Sequence, residues 1–333
     1  MKAALFKEIN TSLHVEEVTK PVPFKGQVLI KLHAAALNHR DLWIQTEQQS
    51  TSGSGIILGS DGSGIIEAVG DEVDEEIIGQ EVIINPSIGW GKNPAVQSDA
   101  FKILGFPDHG TFSEFIVISN KQVVEKPPHL SFEEAAAVPL SALTAYRALF
   151  TKARLRPGEK VLITGVGGGA ALWALKLATA FEAKVFITSG TEFKLKKGLD
   201  LGAHAGYNYK DTDWVERLNK EARGIDVIID SAGGEQFSHL LDLIAPGGRI
   251  VNFGRTAGNI ENLSTRTLYW KQISIFGSTM GTEDEFLSML DFIHKHKMKP
   301  VIDKVFSLYD VNEAFARMKT GEQFGKIILK ILT

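Results

Sequence analysis

The segment from residue 161 to residue 178 constrains the fold of this chain more than any other. It begins with the apolar run Val161, Leu162 and Ile163, as expected for a buried strand of a parallel sheet. Four glycines then permit a tight turn without side chains: Gly165, Gly167, Gly168 and Gly169. A helix predicted from about Ala170 directs free N–H groups and the positive end of its dipole to this turn. Glycines also occur in ordinary turns, but this strand and helix supply the context of a dinucleotide pyrophosphate site.

Further strands and helices alternate after this segment. Short apolar runs predict strands at residues 183–188, 224–230, 248–254 and 273–277. Helical patterns lie between them at residues 191–201, 214–222 and 236–244. This alternation predicts an α/β Rossmann domain with a doubly wound parallel sheet.

The remainder of the chain has a different pattern. Short runs at residues 27–32, 64–70 and 81–85, separated by glycine and proline, predict a mainly β domain with barrel-like curvature. After residue 277 we expect a helix, a strand, a helix and a last strand, at residues 283–296, 304–308, 311–318 and 325–331. The C-terminus is expected to pack back onto the first domain. The predicted domains are therefore 1–120 with 280–333, and 121–279.

Composition excludes several functional classes. The net charge of −4 gives no general attraction for nucleic acid or for anionic membranes. No apolar run is long enough to span a bilayer, and the N-terminus lacks the apolar core of a signal peptide, so a cytoplasmic protein is expected. With no cysteine, disulfides, thiolate catalysis and cysteine-based zinc sites are excluded. The nine histidines form no pattern with metal-ligand spacing, so no protein-bound catalytic metal is expected.

Motifs spread over almost the whole chain carry a family resemblance. They are Leu37-Asn-His-Arg-Asp-Leu42, Leu58-Gly-Ser-Asp-Gly-Ser-Gly64, Gly110-Thr-Phe-Ser-Glu-Phe115, Ala135-Ala-Ala-Val-Pro-Leu-Ser-Ala-Leu-Thr-Ala-Tyr146, the glycine turn, Gly277-Ser-Thr-Met-Gly281 and Gln323-Phe-Gly-Lys326. In these motifs the chain resembles the medium-chain dehydrogenase/reductase superfamily. The resemblance implies a GroES-like, β-barrel-type catalytic domain beside the Rossmann domain, with the active site in the cleft between them.

The departures from the family pattern concern zinc. Where the family's zinc alcohol dehydrogenases hold a catalytic zinc, the matching positions are Asn38, Ser60 and Leu140, and none is a typical zinc ligand. Asp61 stands beside one of them, and residues 86–108 match the structural-zinc lobe without its cysteines. The chain therefore resembles the zinc-free branch of quinone oxidoreductases and enoyl or alkenal reductases. The last glycine of the family's turn is replaced by Ala171.

This branch suggests hydride transfer from NADPH to a quinone or an α,β-unsaturated carbonyl compound, whose conjugated oxygen absorbs the charge. The candidate side chains of the substrate cleft are Asn38, Asp41, Ser60 and Tyr146. Asn38 suits either capping of a loop or contact with the nicotinamide ribose. Asp41 is expected to hold the loop through backbone N–H groups rather than to act as a general acid. Tyr146 is expected either at the substrate cleft or, equally well, in the core. No catalytic acid is assigned, which leaves open the alternative of a non-enzymatic NADPH-binding sensor or structural protein.

The end of the second Rossmann strand predicts NADP(H) rather than NAD(H). An NAD site usually has an acidic residue there, but the sequence is Thr188-Ser-Gly-Thr, and Glu192 falls in the following helix. Ser189 and the Gly190 backbone can donate hydrogen bonds to a 2′-phosphate, and Lys194 can neutralise its charge. By resemblance, Tyr209 matches the position whose hydroxyl contacts the same phosphate in the quinone oxidoreductases. The alternative is that Lys194 is only a solvated helix lysine. Together with the resemblance, the predicted cofactor-binding residues are Asn38, Thr144, Gly167, Gly168, Gly169, Ala170, Ser189, Gly190, Lys194, Tyr209, Phe253, Gly254, Ser278, Phe324, Gly325 and Lys326.

Substrate selectivity is expected in three predicted loops, at residues 43–55, 88–101 and 256–270. Their aromatic residues suit an apolar substrate pocket, the core or a dimer contact: Trp43, Trp90, Phe101, Tyr269 and Trp270. The apolar strand at 273–277 is expected at a sheet edge, where it would pair across a two-fold axis in a homodimer. The expected partners are thus a small quinone or enone substrate and a second copy of the chain.

Overall fold

The computed structural model describes residues 1–47 and 55–331 of the chain. The chain divides into two compact units, a first unit of Met1–Ser141 with Gly281–Thr333 and a second unit of Ala142–Met280. The sequence placed the first boundary at residue 120. The first unit continues to Ser141 because residues 123–125 pair within its sheet and a helix at 132–136 packs on that sheet.

The secondary structure follows in chain order. The strands are β1 (Lys2–Phe6), β2 (His14–Glu17), β3 (Gln27–Ala36), β4 (Ile56–Ile57), β5 (Asp61–Val69), β6 (Glu81–Ile84), β7 (Ser87–Ile88), β8 (Lys102–Ile103), β9 (Phe115–Ser119), β10 (Val123–Glu125), β11 (Lys160–Ile163), β12 (Lys184–Ser189), β13 (Ala205–Asn208), β14 (Ile225–Asp230), β15 (Ile244–Asn252), β16 (Ser274–Gly277), β17 (Ile302–Ser307) and β18 (Lys326–Lys330). The helices are α1 (His39–Glu47), α2 (Phe132–Ala136), α3 (Pro139–Tyr146), α4 (Gly169–Ala180), α5 (Glu192–Asp200), α6 (Trp214–Ala222), α7 (Phe237–Leu243), α8 (Thr265–Trp270), α9 (Glu283–Lys295) and α10 (Val311–Thr320). Within the two described ranges, none of these helices has both the length and the apolar character needed to cross a membrane.

The main sheet of the first unit has the strand order β10-β6-β5-β3-β18-β17, and β9 also pairs with β3. The C-terminal strand β18 runs antiparallel to β3, so the end of the chain joins the first unit. At the end of β3, Ala36 lies opposite Asp61 of β5 and opposite Ile328 of β18. This register brings residues that are far apart in the sequence to one end of the sheet.

One glycine of the motif at residues 58–64 has a packing reason. A Cβ atom on Gly64 would lie 2.2 Å from the carbonyl oxygen of Lys31 and 2.9 Å from Cα of Leu32. These neighbours are backbone atoms of the paired strand β3 and cannot move aside like a flexible side chain. The close approach of β5 to β3 therefore requires glycine at this position.

The second unit confirms the predicted Rossmann architecture. Its sheet has the order β13-β12-β11-β14-β15-β16, and each neighbouring pair is parallel. This is the 3-2-1-4-5-6 order of a doubly wound dinucleotide-binding domain. The strand β11 is central, and Val161, Leu162 and Ile163 are fully buried, which explains its continuous apolar run.

Two predicted loops contain helices instead. Residues 39–47 form α1, and residues 265–270 of the loop predicted at 256–270 form α8. In α1 only Asp41 and Ile44 are buried, so its sequence lacks the broad apolar face that predicts a helix. In α8 no residue is buried, and the helix begins at a Ser264 cap. The loop predicted at 43–55 is helical up to Glu47 and otherwise lies, except for Gly55, outside the described residues.

Candidate active site

The glycine turn of the second unit has the geometry of an open anion cradle. Gly165 and Gly167 have positive φ angles of 63° and 143°, which favour glycine. Gly168 is the N-cap of α4, and within the described residues no side chain caps this helix. A Cβ atom on Gly165 or Gly168 would meet nothing within 4 Å. The turn therefore leaves space beside the N-terminus of α4, where backbone N–H groups and the helix dipole favour a phosphate.

The end of β12 gathers polar and basic side chains around Gly190. A Cβ atom on Gly190 would lie 2.6 Å from the Tyr209 hydroxyl oxygen and 3.1 Å from Cε of Lys210. The Lys194 side chain lies over the glycine turn, since a Cβ on Gly167 would be 3.3 Å from its Nζ. Ser189 is buried at the strand end itself. The structure thus brings five of the predicted cofactor-binding residues into one neighbourhood: Gly167, Ser189, Gly190, Lys194 and Tyr209.

Lys210 belongs to this neighbourhood but was missed from the sequence. It follows β13, a short strand that the sequence analysis did not predict. In the sheet, Asn208 of β13 pairs with Ser189 of β12, so the next two residues reach the same edge. In the sequence, Lys210 stands directly after the predicted cofactor residue Tyr209. Its place at the same site could be inferred only once the pairing of β13 with β12 was known.

Glu192 does not supply a carboxylate to the end of β12. It is the first residue of α5, after the N-cap Thr191, as the sequence predicted. Its Oε1 accepts a hydrogen bond from Nδ2 of Asn208 at 3.0 Å. The acidic group that commonly binds both ribose hydroxyls of NAD is therefore not provided by this residue.

Other predicted cofactor residues follow the carboxyl ends of neighbouring strands. Phe253 and Gly254 come directly after β15, and Ser278 comes after β16. The Ser278 backbone N–H donates to the Asn252 oxygen at 2.9 Å, whereas its hydroxyl oxygen is buried and has no hydrogen-bond partner within the described residues. A bound ligand could satisfy this hydroxyl, because buried polar atoms in native proteins almost always have a partner. Parallel strands carry their ligand sites at this edge.

The remaining candidates of the second unit lie on α3. Thr144 is buried, with 7% of its surface exposed, and Tyr146 is half-buried. The Tyr146 ring lies 4.8 Å from the Phe150 ring, centroid to centroid, in a tilted arrangement. Contact with an aromatic neighbour is the core role that the sequence left open for Tyr146.

In the first unit, the candidate residues Asn38 and Lys326 meet Asp61 in a buried polar cluster. Nζ of Lys326 donates to Oδ1 of Asn38 at 2.6 Å and to Oδ2 of Asp61 at 2.9 Å. Nδ2 of Asn38 donates to the same Asp61 oxygen at 3.0 Å. The exposed fractions are 4% for Lys326, 7% for Asn38 and 0% for Asp61. From the sequence, Asp61 was recognisable only as a family position, and nothing there indicated that its carboxylate joins the other two residues.

Ser60 belongs to a second hydrogen-bonded group, which includes an arginine that the sequence analysis missed. Nη1 of Arg40 donates to Oγ of Ser60 at 2.7 Å and to the Leu104 carbonyl oxygen at 2.8 Å. Oγ of Ser60 in turn donates to the same carbonyl at 2.7 Å. Arg40 lies within the family motif at residues 37–42, and this position was the feature of the sequence that could have identified it as a site residue.

Asp41 is completely buried and holds the start of α1. Its Oδ2 accepts a hydrogen bond from the Asn38 backbone N–H at 2.8 Å, while its Oδ1 has no partner within the described residues. Burial raises the pKa of this carboxyl from its ordinary value of 3.8 to about 6, and the nearby Arg40 guanidinium opposes that rise. Its one hydrogen bond is of the structural kind that the sequence favoured for this residue.

Packing and backbone geometry account for the positions of Phe324 and Gly325. Phe324 is 3% exposed, and its N–H donates to Oδ1 of Asp303 at 3.0 Å. Gly325 has a positive φ of 122°, and a Cβ atom there would lie 2.4 Å from the Val301 carbonyl oxygen. The next residue, Lys326, has its side chain in the buried cluster.

The aromatic residues suggested for a substrate pocket, the core or a dimer contact differ in their burial. Trp90 is buried and packs edge-on against Phe101, with ring centroids 5.3 Å apart. This pair belongs to the packing of the lobe at residues 86–108. Tyr269 and Trp270 are 67% and 79% exposed on α8, and Trp43 is half-buried on α1.

Comparison with known proteins identifies the family. A two-domain chain with a Rossmann sheet and a GroES-like partner is the architecture of a dehydrogenase. Residues 24–128 match the family model described as alcohol dehydrogenase GroES-like domain, and residues 165–295 match the model described as zinc-binding dehydrogenase. The chain therefore belongs to the medium-chain dehydrogenase/reductase superfamily of oxidoreductases.

Individual relatives are similar over nearly their whole length. The zinc-type alcohol dehydrogenase-like protein YogA of Leptosphaeria maculans is 33% identical, over 99% of this chain and 98% of that protein. The quinone oxidoreductase of Homo sapiens is 31% identical, over 94% of this chain and 92% of that protein. A crystal structure of an NAD-dependent alcohol dehydrogenase superimposes with a TM-score of 0.93 at 33% identity, and each chain is covered completely.

The buried Asp41 carboxyl predicts a defined pH dependence of stability. Because its pKa is raised on folding, the contribution of the protonated group is complete below about pH 3.8 and is lost as the pH rises through about 6. Asp41→Asn keeps an acceptor for the Asn38 N–H and does not ionise. We expect the stability advantage of the variant over the unmutated protein to grow by about 2 kcal/mol between pH 4.5 and pH 7.5, which is most of the roughly 3 kcal/mol that a two-unit pKa change contributes.

Urea unfolding of both proteins across this pH range measures the difference. A stability difference that stays constant from pH 4.5 to pH 7.5 would show that folding does not raise the pKa of Asp41.

Proposed function

We propose that this protein is a zinc-independent, NADPH-dependent reductase of quinones or α,β-unsaturated carbonyl compounds. The single observation that carries the proposal is the group of side chains at the end of β12. There Tyr209 and Lys210 lie against Gly190, and Lys194 lies over the glycine turn. Two ammonium groups and a phenol suit a 2′-phosphate by charge and by hydrogen bonding. The name of the human relative, quinone oxidoreductase, supports the same acceptor class.

The residues of the second unit fit the dinucleotide. The open cradle at Gly165 and Gly168 suits its pyrophosphate, and the unpartnered hydroxyl of Ser278 suits a polar group of the ligand. When bound, the nicotinamide supplies the hydride. Lys194, Lys210 and Tyr209 would hold the adenosine phosphate and thereby distinguish NADPH from NADH.

The first unit offers hydrogen-bond donors instead of a Lewis acid. Reduction of an enone or a quinone places negative charge on the acceptor oxygen, and fixed donors stabilise such an oxygen. Asn38 and Arg40 are donors held in place by their own hydrogen bonds. Solvent can complete proton transfer to the product, so the reaction does not require a dedicated catalytic acid.

Zinc independence is supported by the charges around the positions that match the zinc ligands. Oδ1 of Asn38 already accepts from the Lys326 ammonium at 2.6 Å, and Oγ of Ser60 accepts from the Arg40 guanidinium at 2.7 Å. A Zn²⁺ ion bound about 2.1 Å from the Asn38 oxygen would lie no more than about 5 Å from that ammonium, a strongly repulsive arrangement. Within the described residues, no three histidine, aspartate or glutamate side chains are grouped so that they could hold a metal.

The experiment that tests the function measures NADPH oxidation with a panel of quinones, enones and enals. We expect turnover with members of the panel, unchanged by a chelator, and no stoichiometric zinc in elemental analysis of the purified protein. Binding of NADPH without turnover of any acceptor would favour the alternative of a non-enzymatic NADPH-binding protein. One tightly held zinc per chain, with activity lost to the chelator, would refute the zinc-free assignment.

We also propose a homodimer formed through β16. This strand ends the sheet of the second unit on one side, as the sequence predicted, and its inner neighbour is β15. An edge strand with unsatisfied backbone groups can extend its sheet into a second copy across a two-fold axis. Light scattering at micromolar concentration is expected to give twice the mass of one chain, and the mass of a single chain would contradict the proposal.

The phosphate neighbourhood predicts a cofactor preference that depends on Lys194. A charge-assisted hydrogen bond contributes roughly 1.5–3 kcal/mol, so we expect NADPH to bind at least about tenfold more tightly than NADH. Lys194→Ala should weaken NADPH binding by about that factor and leave NADH binding nearly unchanged. Dinucleotide fluorescence titration measures both affinities.

Lys196→Ala is the matched control, because Lys196 is an exposed lysine on the same helix α5. It should alter neither affinity. Equal affinities of the unmutated protein for NADPH and NADH would overturn the assignment of this neighbourhood.

A further inference from the structure

The Lys326 ammonium, the Asp61 carboxylate and the Asn38 amide form a closed triangle of hydrogen bonds in the first unit. Lys326 donates to both of the others, at 2.6 Å and 2.9 Å, and Asn38 donates to Asp61 at 3.0 Å. All three residues are at least nine-tenths buried. Lysine is almost never buried to this extent without a counter-ion, and here Asp61 provides it.

This triangle fixes the orientation of the Asn38 amide. Its oxygen faces a cation and its nitrogen faces a carboxylate. A flipped amide would direct its N–H groups at the ammonium and its oxygen at the carboxylate, and both contacts would be repulsive. With one N–H used by Asp61, the second N–H of Asn38 has no acceptor within the described residues.

Two further hydrogen bonds connect the triangle to its surroundings. Oδ1 of Asp61 accepts from the Leu140 N–H at 2.8 Å, and Asp41 accepts from the Asn38 N–H at 2.8 Å. The three residues come from β5, from β18 and from the segment between β3 and α1, which meet at the end of β3. The free N–H of Asn38 is thus attached to a preorganised frame.

We propose that Lys326 is a positioning residue that acts through Asn38. By fixing the amide, its ammonium keeps the free Asn38 N–H available as a donor to one oxygen atom of a bound ligand. That oxygen belongs either to the dinucleotide, as a ribose hydroxyl, or to the acceptor, as its carbonyl. The inference rests on the proposed reductase function and assigns Lys326 an indirect role rather than direct contact with the cofactor.

The test must remove the ammonium without leaving a buried, unpaired carboxylate. Lys326→Met alone would leave the Asp61 carboxylate buried without its counter-ion. It is therefore combined with Asp61→Asn in a charge-neutral double variant. Asn38→Ala removes the donor itself, and a triple variant combines all three changes. Lys126→Met is the matched control, because the Lys126 ammonium is also buried in the first unit, where it bonds the Leu130 carbonyl and pairs with Glu81.

The first measurement needs neither cofactor nor turnover. The side-chain amide resonances of Asn38, assigned by their loss in Asn38→Ala, report whether the amide is held. We expect them to be dispersed and protected from solvent exchange in the unmutated protein and in Lys126→Met. In the double variant they should move to the positions of a freely rotating amide. Unchanged resonances in the double variant would overturn the proposal.

The second measurement compares the effects of the variants on NADPH affinity, on acceptor KM and on kcat. The double variant and Asn38→Ala should each change the same quantity by about tenfold, as expected for one lost hydrogen bond, and the triple variant should change it no further. A loss in NADPH affinity assigns the oxygen to the dinucleotide, and a loss confined to kcat or acceptor KM assigns it to the acceptor. Effects that multiply to about a hundredfold in the triple variant would refute action through Asn38.

Failure of the proposed function gives a different result. If no acceptor in the panel is reduced, the reductase assignment fails, while the amide resonances and NADPH affinities still decide the role of Lys326.

Discussion

The buried carboxylate of Asp61 is the contact on which the first unit's candidate site depends. It accepts from the Leu140 backbone, from the Asn38 amide and from the Lys326 ammonium, although these residues are widely separated in the sequence. An ionised carboxylate that is fully buried is tolerated only when such donors replace its water. Movement of β18, of the start of α3 or of the segment between β3 and α1 away from β5 would remove a donor from this charge. One buried charge therefore forces three separate segments to keep a common geometry.

The second unit obtains its geometry from a different constraint. In a parallel sheet the carboxyl ends of all strands lie at one edge, so the segments after β11, β12, β15 and β16 are brought together there. The glycine turn and the group around Gly190 are two parts of that edge. A ligand with a pyrophosphate and a second phosphate matches both parts. Here the site results from strand order, and no buried ion pair is needed to assemble it.

The two units consequently differed in how well the sequence predicted them. In the second unit, short continuous apolar runs and helical periodicity gave strands and helices close to those observed, from β11 through α7. The exception, β13, is a short Ala-Gly-Tyr-Asn strand without an apolar run, and missing it also concealed Lys210. In the first unit the sequence located the strands β3, β5, β6, β17 and β18 but missed most of the shorter strands. It also missed α1, because most of the surface of that helix is polar or half-buried. Motif positions identified Asn38 and Lys326 as candidates without showing that they contact each other.

The sequence by itself determined the fold class, the glycine turn, the lack of a carboxylate at the end of β12 and the residue types available at the zinc-ligand positions. Each of these is a local property, set by spacing or by the chemistry of one side chain. Only the tertiary structure decided that Lys326 pairs with Asp61, that Arg40 bonds Ser60, and that Lys210 lies beside Gly190. These contacts depend on the pairing register of β3 with β5 and β18, and of β12 with β13. Register arises from the packing of whole strands, so no single motif in the sequence contains it.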